Sequence, residues 1–319
     1  MKKIVVLGGG TGLSTLLRGL KLFPIDINAV VSVCDDGKST GRLREEFNTF
    51  AVGDMRRVIA ALSETEPLFE ELLNYRFTTT SDLNGHTVGN LLLTALANIT
   101  GNMQEGIETI GKVLKLKGKV LPFTLENPIL IGKMTDGTIV KGEHNITESN
   151  KTIDNVYYEK EVKVNPSVIK AVKSADLIIL SMGSLYTSIV PNLLGKEIID
   201  AIDKSKAKIM YACNMVTQPG ETDDYKVSDH IKALNKYLGK KKIEIVVANS
   251  GNIPKRILNK YATEEQKDKV VLDKNNLKDV KLITNNYVTI ENGVIRHRVD
   301  KLALDIYGYI LNQDDKKVF

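Results

Sequence analysis

Short apolar runs ending in clusters of glycine, serine, aspartate or asparagine recur along the chain, each followed by a stretch with helical spacing. That alternation predicts parallel strands joined by helical crossovers. The strands fall over residues 4–7, 28–34, 177–180, 208–213 and 243–248. Within 28–34 the interior is apolar apart from Ser32, as in a strand covered on both faces. Helices are predicted over 14–20, 165–173 (opened by Asn165-Pro166), 186–194, 227–238, 254–261 and 301–311. Residues 54–116 form a helical stretch punctuated by Pro67, Gly85 and Gly101, read as a helical insertion or one face of the sandwich. Residues 120–164 are less regular. Asp136-Gly137 between apolar residues signals a hairpin there, so the region reads as a small antiparallel β element. The fold class expected is α/β: a doubly wound, mainly parallel sheet in one unit over 1–319, with no linker or repeat.

Composition narrows the function classes little. The 319 residues are 42% hydrophobic and 26% charged, ordinary values for a globular chain, and the formal charge is +5. The lysines are scattered, and no basic stretch is interleaved with aromatic residues, so nucleic acid is not expected as a partner. No apolar run approaches the ~20 residues that cross a membrane. The chain opens directly on a strand without a leader pattern, so a cytoplasmic location is expected. Cys34 and Cys213 each end an apolar strand pattern and read as packing residues.

The chemistry gathers at strand ends. In KKIVVLGGGTG (2–12), four glycines lie within five residues between a strand and a helix. Such a turn lets the backbone approach a phosphate while the helix N-terminus points its N–H groups and positive dipole at it. Gly9, Gly10, Thr11 and Gly12 are therefore candidate ligand contacts. The dinucleotide fingerprint is incomplete, with Thr15 where its last glycine would stand, and no Gly-Lys-Ser/Thr closes a P-loop. Asp35 and Asp36 end the second strand about twenty residues on, where a doubly wound fold sets an acid against a ribose. Adjacent carboxylates also suit Mg²⁺, with Asp36 and Asp54 as its candidate ligands. Lys38, Ser39, Thr40 and Arg42 add cations and hydroxyls, although Asp-Asp-Gly is also an ordinary Asx turn. Asp54 reads as the N-cap of a helix whose first turn holds Arg56 and Arg57, cations that oppose the dipole unless an anion holds one of them. His86 has no triad-like surroundings and reads as a hydrogen-bonding residue, and Asn90 interrupts an apolar helix start. Gly183-Ser184 and the Asn214 to Gln218 segment form two more polar strand-end loops. No zinc spacing and no nucleophile elbow appears.

Together GGGTGLSTLLRGLK, VSVCDDGKSTGRLREEF, AVGDMRRVIAALS, GHTVGNLLLTAL, MTDGTIVKGEHNIT, GSLYTSIVPNLL and NMVTQPGETDDY resemble the gluconeogenesis factor family over essentially the whole chain. More distantly they resemble the 2-phospho-L-lactate transferases of coenzyme F420 synthesis. The resemblance implies a Rossmann-like fold and binding of a UDP-sugar, notably UDP-N-acetylglucosamine, with no required cofactor. It further implies a cytoplasmic role in cell shape, envelope synthesis and growth on gluconeogenic carbon, with control of glucosamine-6-phosphate synthase through protein contact, and it leaves room for a homo-oligomer. It adds Tyr261 and Arg296, the first to stack on a ring and the second to clamp a diphosphate. The transferase relatives keep a second reading open, in which Mg²⁺ held by the aspartates aligns a phosphoryl or nucleotidyl transfer.

Overall fold

Strand β1 (Lys2–Gly8) is buried from Ile4 onward and has a parallel neighbour on each side, so it lies inside the sheet. The structure, a computed structural model, describes residues 1–47, 51–65, 67–149 and 151–315. After β1 come α1 (Gly10–Leu20), β2 (Ile25–Val31), α2 (Lys38–Phe47), α3 (Val52–Leu62), α4 (Pro67–Asn74), α5 (Val88–Thr100), α6 (Met103–Val113) and β3 (Lys119–Pro122). A second sheet follows, built from β4 (Leu130–Met134), β5 (Ile139–Lys141) and, after the short α7 (Glu143–Thr147), β6 (Ile153–Tyr158). The chain then returns through α8 (Pro166–Lys173) to β7 (Leu177–Leu180), a π turn (Leu185–Ile189) running into a 3₁₀ turn (Val190–Leu193), α9 (Lys196–Lys204) and β8 (Lys208–Ala212). It ends with α10 (Val227–Tyr237), β9 (Ile245–Asn249), α11 (Lys255–Glu264), β10 (Lys281–Asn285), the hairpin β11 (Val288–Glu291) and β12 (Val294–His297), and α12 (Val299–Asp315).

The main sheet has seven strands in the order β10-β9-β8-β7-β1-β2-β3, all parallel. This is the doubly wound arrangement the alternating pattern predicts. Alternation along each strand divides the core in two. Val5 and Leu7 of β1 pack with α8, α9 and α10 on one face, while Ile4 and Val6 pack with α1, α3 and α12 on the other. The chain runs outward from β1 through β2 to β3, then crosses back to β7 and runs outward the other way. The switch point lies between β1 and β7, where open α/β sheets bind ligands beyond the strands' carboxyl ends.

Several expectations shift. The second strand ends at Val31, so Val33 to Asp36 lie in its following loop. Residues 38–47, for which the pattern predicts no element, form α2. Asp54 lies inside the first turn of α3 instead of capping it; Ala51 stands at the cap. Residues 120–122, read as part of the small β element, belong with Lys119 to β3, which pairs with β2 as the edge of the main sheet, and the β4–β5–β6 sheet is otherwise the element expected, turned at Asp136-Gly137. Cys34 and Cys213 are free and buried, and burial pushes their thiols up to about 11 and about 12.

Candidate functional site

Three loops meet at the switch point. The first is the glycine turn between β1 and α1. Gly10 has φ +58°, a left-handed conformation that favours glycine. A Cβ on Gly12 would stand 1.8 Å from the Met182 carbonyl oxygen, so the loops after β1 and β7 touch backbone to backbone. The second loop, 181–184, is tied to the third by Asn214, whose Nδ2 donates to the Gly183 carbonyl (2.7 Å) and whose Oδ1 accepts the Gly183 N–H (3.0 Å).

Beneath these two loops lies Glu221, only 2% exposed. Its carboxylate accepts the Ser184 hydroxyl (2.7 Å), the Gln218 side-chain amide (2.7 Å) and the Tyr186 N–H (3.2 Å). Burial raises its pKa while those donors pull it back. Ser184 and Gln218, both candidate ligand contacts, are thus held in place by an acid that the reading of strand-end loops passed over. Its signal was an acidic residue inside the Gln-Pro-Gly-Glu-Thr segment, where a surface loop gives no pattern of burial.

The loops enclose a cleft of about 250 Å³ whose wall includes Thr11, Gly12, Ser184, Asn214, Gln218 and Arg296. Arg296 projects from β12 with its side chain exposed and, among the described residues, makes no ion pair. Lys267 adds a second cation at the rim. The hairpin that carries Arg296 turns at Asn292-Gly293, both with positive φ, and antiparallel register confirms it. That dipeptide is the strongest short-range hairpin signal and marks an element the strand survey left out. Tyr261 departs from the expected ring-stacking role. It is buried with Met215, Ile253 and Ile295, and its hydroxyl accepts the Ile295 N–H (2.9 Å), so it supports the hairpin from behind the cleft.

On the other side of the glycine turn stands an acidic wall. The buried Asp54 carboxylate accepts the Gly10 N–H and pairs with Arg57 (3.0 Å). Its pKa is pushed up to about 6, first by burial and then by Asp35, against the pull of Arg57. Glu143, at the start of α7, is pushed up to about 7 by burial and by Asp35 and Asp54. Asp35 forms the Asx turn, accepting the Gly37 N–H (3.0 Å) and the Thr40 hydroxyl (2.9 Å). Asp36 accepts the His144 N–H (2.7 Å) at the start of α7. The oxygens of Asp36 and Asp54 are therefore engaged by N–H donors and Arg57. Among the described residues no group of three His, Cys, Asp or Glu is arranged for a metal ion.

Ser39 and Asn90 lie behind this wall in a buried network. Asn90 donates to the Ser39 hydroxyl (3.1 Å), which meets His86 Nδ1 (3.1 Å), while Arg56 Nε donates to Asn90 (3.0 Å) and its guanidinium also reaches Asn74. Of the two arginines near the start of α3, Arg56 is thus held by amide oxygens and Arg57 by the Asp54 carboxylate. His86 is a hydrogen-bonding residue, and burial lowers its pKa. Lys38 opens α2, and its side chain lies outside the described residues.

The family described as 2-phospho-L-lactate transferase CofD matches residues 4–288. The chain is 46% identical over 304 residues to the gluconeogenesis factor of Bacillus subtilis, covering 94% of this chain and 96% of that one. It is 41% identical over 318 residues to the gluconeogenesis factor of Listeria monocytogenes, covering 99% and 98%. A crystal structure of a UPF0052 family member from Bacillus halodurans superposes with a TM-score of 0.92 at 43% identity, over 96% of this chain and 99% of that one. The doubly wound sheet, the glycine turn facing the β7 loop and these full-length likenesses agree: the chain belongs to the gluconeogenesis factor family, within the wider CofD family.

Proposed function

We propose that this protein binds a UDP-sugar, with UDP-N-acetylglucosamine as the first candidate, and acts as a cytoplasmic regulator instead of turning the ligand over. The observation that carries the reading is the cleft at the switch point. There the α1 N-terminus and the glycine-turn backbone face Arg296, which makes no ion pair among the described residues, across a space lined by hydroxyls and amides. A diphosphate fits that combination, and the remaining polar groups suit a sugar or uracil edge. The relatives' description as gluconeogenesis factors supports a part in growth on gluconeogenic carbon. The roles in cell shape and envelope synthesis, through contact with glucosamine-6-phosphate synthase, extend the same reading. Calorimetry with UDP-N-acetylglucosamine should show saturable heat, weakened about 10- to 100-fold in Arg296→Ala, the loss of one charge-assisted contact. Absence of heat at millimolar ligand overturns the reading.

One observation favours transfer chemistry instead. Glu143 and Asp54, held at about 7 and about 6, would exchange protons close to neutral pH across the glycine turn from the cleft. Product analysis after incubation with UDP-sugar, with and without Mg²⁺, separates the two. Turnover lost in Asp36→Asn and kept in Asp36→Glu would favour the enzyme.

A further inference from the structure

A second cavity opens at the opposite edge of the main sheet, by the amino ends of β1, β2 and β3. At about 630 Å³ it is larger than the cleft at the switch point and has the usual size of a small-molecule site. Helix α6 forms one wall and α8 another. The walls are tied together by Asn165, whose Nδ2 donates to the Gln104 side-chain oxygen (3.1 Å) and to the Pro122 carbonyl (3.1 Å). Strand register sets the floor. Lys3 pairs with Asp26, Val5 with Asn28, and Asn28 with Lys119, so these four polar side chains share one face of the sheet. Asn28 is only 8% exposed and lines the cavity, yet among the described residues its side chain makes no hydrogen bond. A buried amide inside an apolar strand is costly unless something in the cavity takes its donors and acceptor. Lys3, Lys112, Lys115, Lys119 and Lys170 surround it, and none makes an ion pair among the described residues. Asp26 and Glu108 are the acids of the lining, and Glu108 already accepts the Gln104 amide (2.8 Å). The ends of α6 and α8 account for Lys112, Lys115 and Lys170, since cations suit a helix C-terminus. They do not account for Lys3 and Lys119 on the strands, nor for Asn28.

We infer that this cavity binds a non-aromatic small molecule carrying two or more phosphate or carboxylate groups. Five lysines against two acids call for more than one anionic group. Lysine is a point charge without the fixed fork of arginine, so the lining takes phosphate and carboxylate alike. No aromatic side chain lines the cavity, which leaves a nucleobase nothing to stack on. Asn28, with two donors and one acceptor, meets a hydroxyl or ester oxygen between the anionic groups. The site is separate from the cleft. Lys3 and Gly8 stand at opposite ends of β1, roughly 17 Å apart at about 3.3 Å per residue.

Calorimetry on the full chain tests this with two probes, fructose 1,6-bisphosphate and citrate. At least one should bind saturably at one site per chain, and the tighter of the two identifies phosphate or carboxylate as the preferred group. Binding should weaken several-fold at about 0.5 M NaCl, where exposed charges are screened. It should persist in Arg296→Ala, a substitution confined to the cleft. Lys112→Gln combined with Lys119→Gln should weaken it at least tenfold. Asn28→Leu, similar in shape, should weaken it as much without lowering the CD melting temperature, because it removes no hydrogen bond within the described chain. No saturable heat from either probe at about 10 mM overturns the inference. So does binding that the lysine pair or Asn28→Leu leaves unchanged, or binding that is lost in Arg296→Ala.

Discussion

Glu221 ties the loop after β7 to the loop after β8 through a single carboxylate. Truncation to alanine would strand the Ser184 hydroxyl, the Gln218 amide and the Tyr186 N–H at a buried position. Each unsatisfied buried group costs about 1–3 kcal/mol, partly offset by relaxation and water entry. Glu221→Ala is therefore expected to lose about 3 kcal/mol in urea denaturation and to loosen the cleft. Glu221→Gln keeps the shape and one acceptor oxygen, and should lose about 1 kcal/mol. Equal effects of the two substitutions would show that the carboxylate does not organise the loops. Asp35, Ser39 and Asn90 were legible in the sequence as polar candidates, Asp35 and Ser39 from their place after the second strand and Asn90 from the apolar helix start it interrupts. Their partners were not, because Ser39 meets Asn90 fifty-one positions away and no local pattern records such a contact.

At the level of the elements, α1 and the π turn after β7 are set by the contact between Gly12 and Met182. The neighbour a Cβ would meet at Gly12 is a backbone carbonyl, which no side-chain rotation can move aside. Gly12→Ala is expected to spread the two loops, weakening UDP-N-acetylglucosamine binding at least tenfold while the far-UV CD spectrum stays native. Gly308 in α12 has open space at its Cβ position, so the same change there should stabilise by about 0.5–1 kcal/mol. A Gly12→Ala variant that binds normally would separate the ligand from the glycine turn. The strands that carry this junction were legible because β7 and the stretches Ile4–Leu7 of β1 and Ile209–Ala212 of β8 are apolar without interruption, as strands buried on both faces must be. β3 and β10 escaped notice because edge strands keep polar residues such as Lys119, Lys281 and Thr284. Helix α2 was missed because its Ser-Thr-Gly start reads as turn chemistry, although Asp35 holds Thr40 at that start.

Across the whole molecule, the turn into α1 separates two electrostatic regions: a cleft with Arg296 and Lys267 on one side, and the wall of Asp35, Asp54 and Glu143 on the other. The helix N-terminus lies between them, so an anion drawn to it is steered away from the acids and towards the arginine. The wall carries a stability cost that depends on pH. Glu143 has an ordinary value of 4.5 and a folded value of about 7. Its proton is therefore held more tightly in the folded chain, and folding is favoured by it below about 4.5 and progressively less as pH rises to about 7. Asp54 acts in the same direction between 3.8 and about 6. Asp203 and Asp273 have lowered values and act in the opposite sense, losing stability as pH falls, so the bare wild-type curve mixes both. The difference between variant and wild type isolates the wall. Glu143→Gln should match the wild type in urea denaturation at about pH 3.5, a unit below the ordinary value of 4.5, where the glutamate is largely protonated in both states. At pH 8 it should be more stable by on the order of 2 kcal/mol. A Glu143→Gln advantage that does not change between those two pH values would mean that Glu143 is not held against its charge by burial and by Asp35 and Asp54.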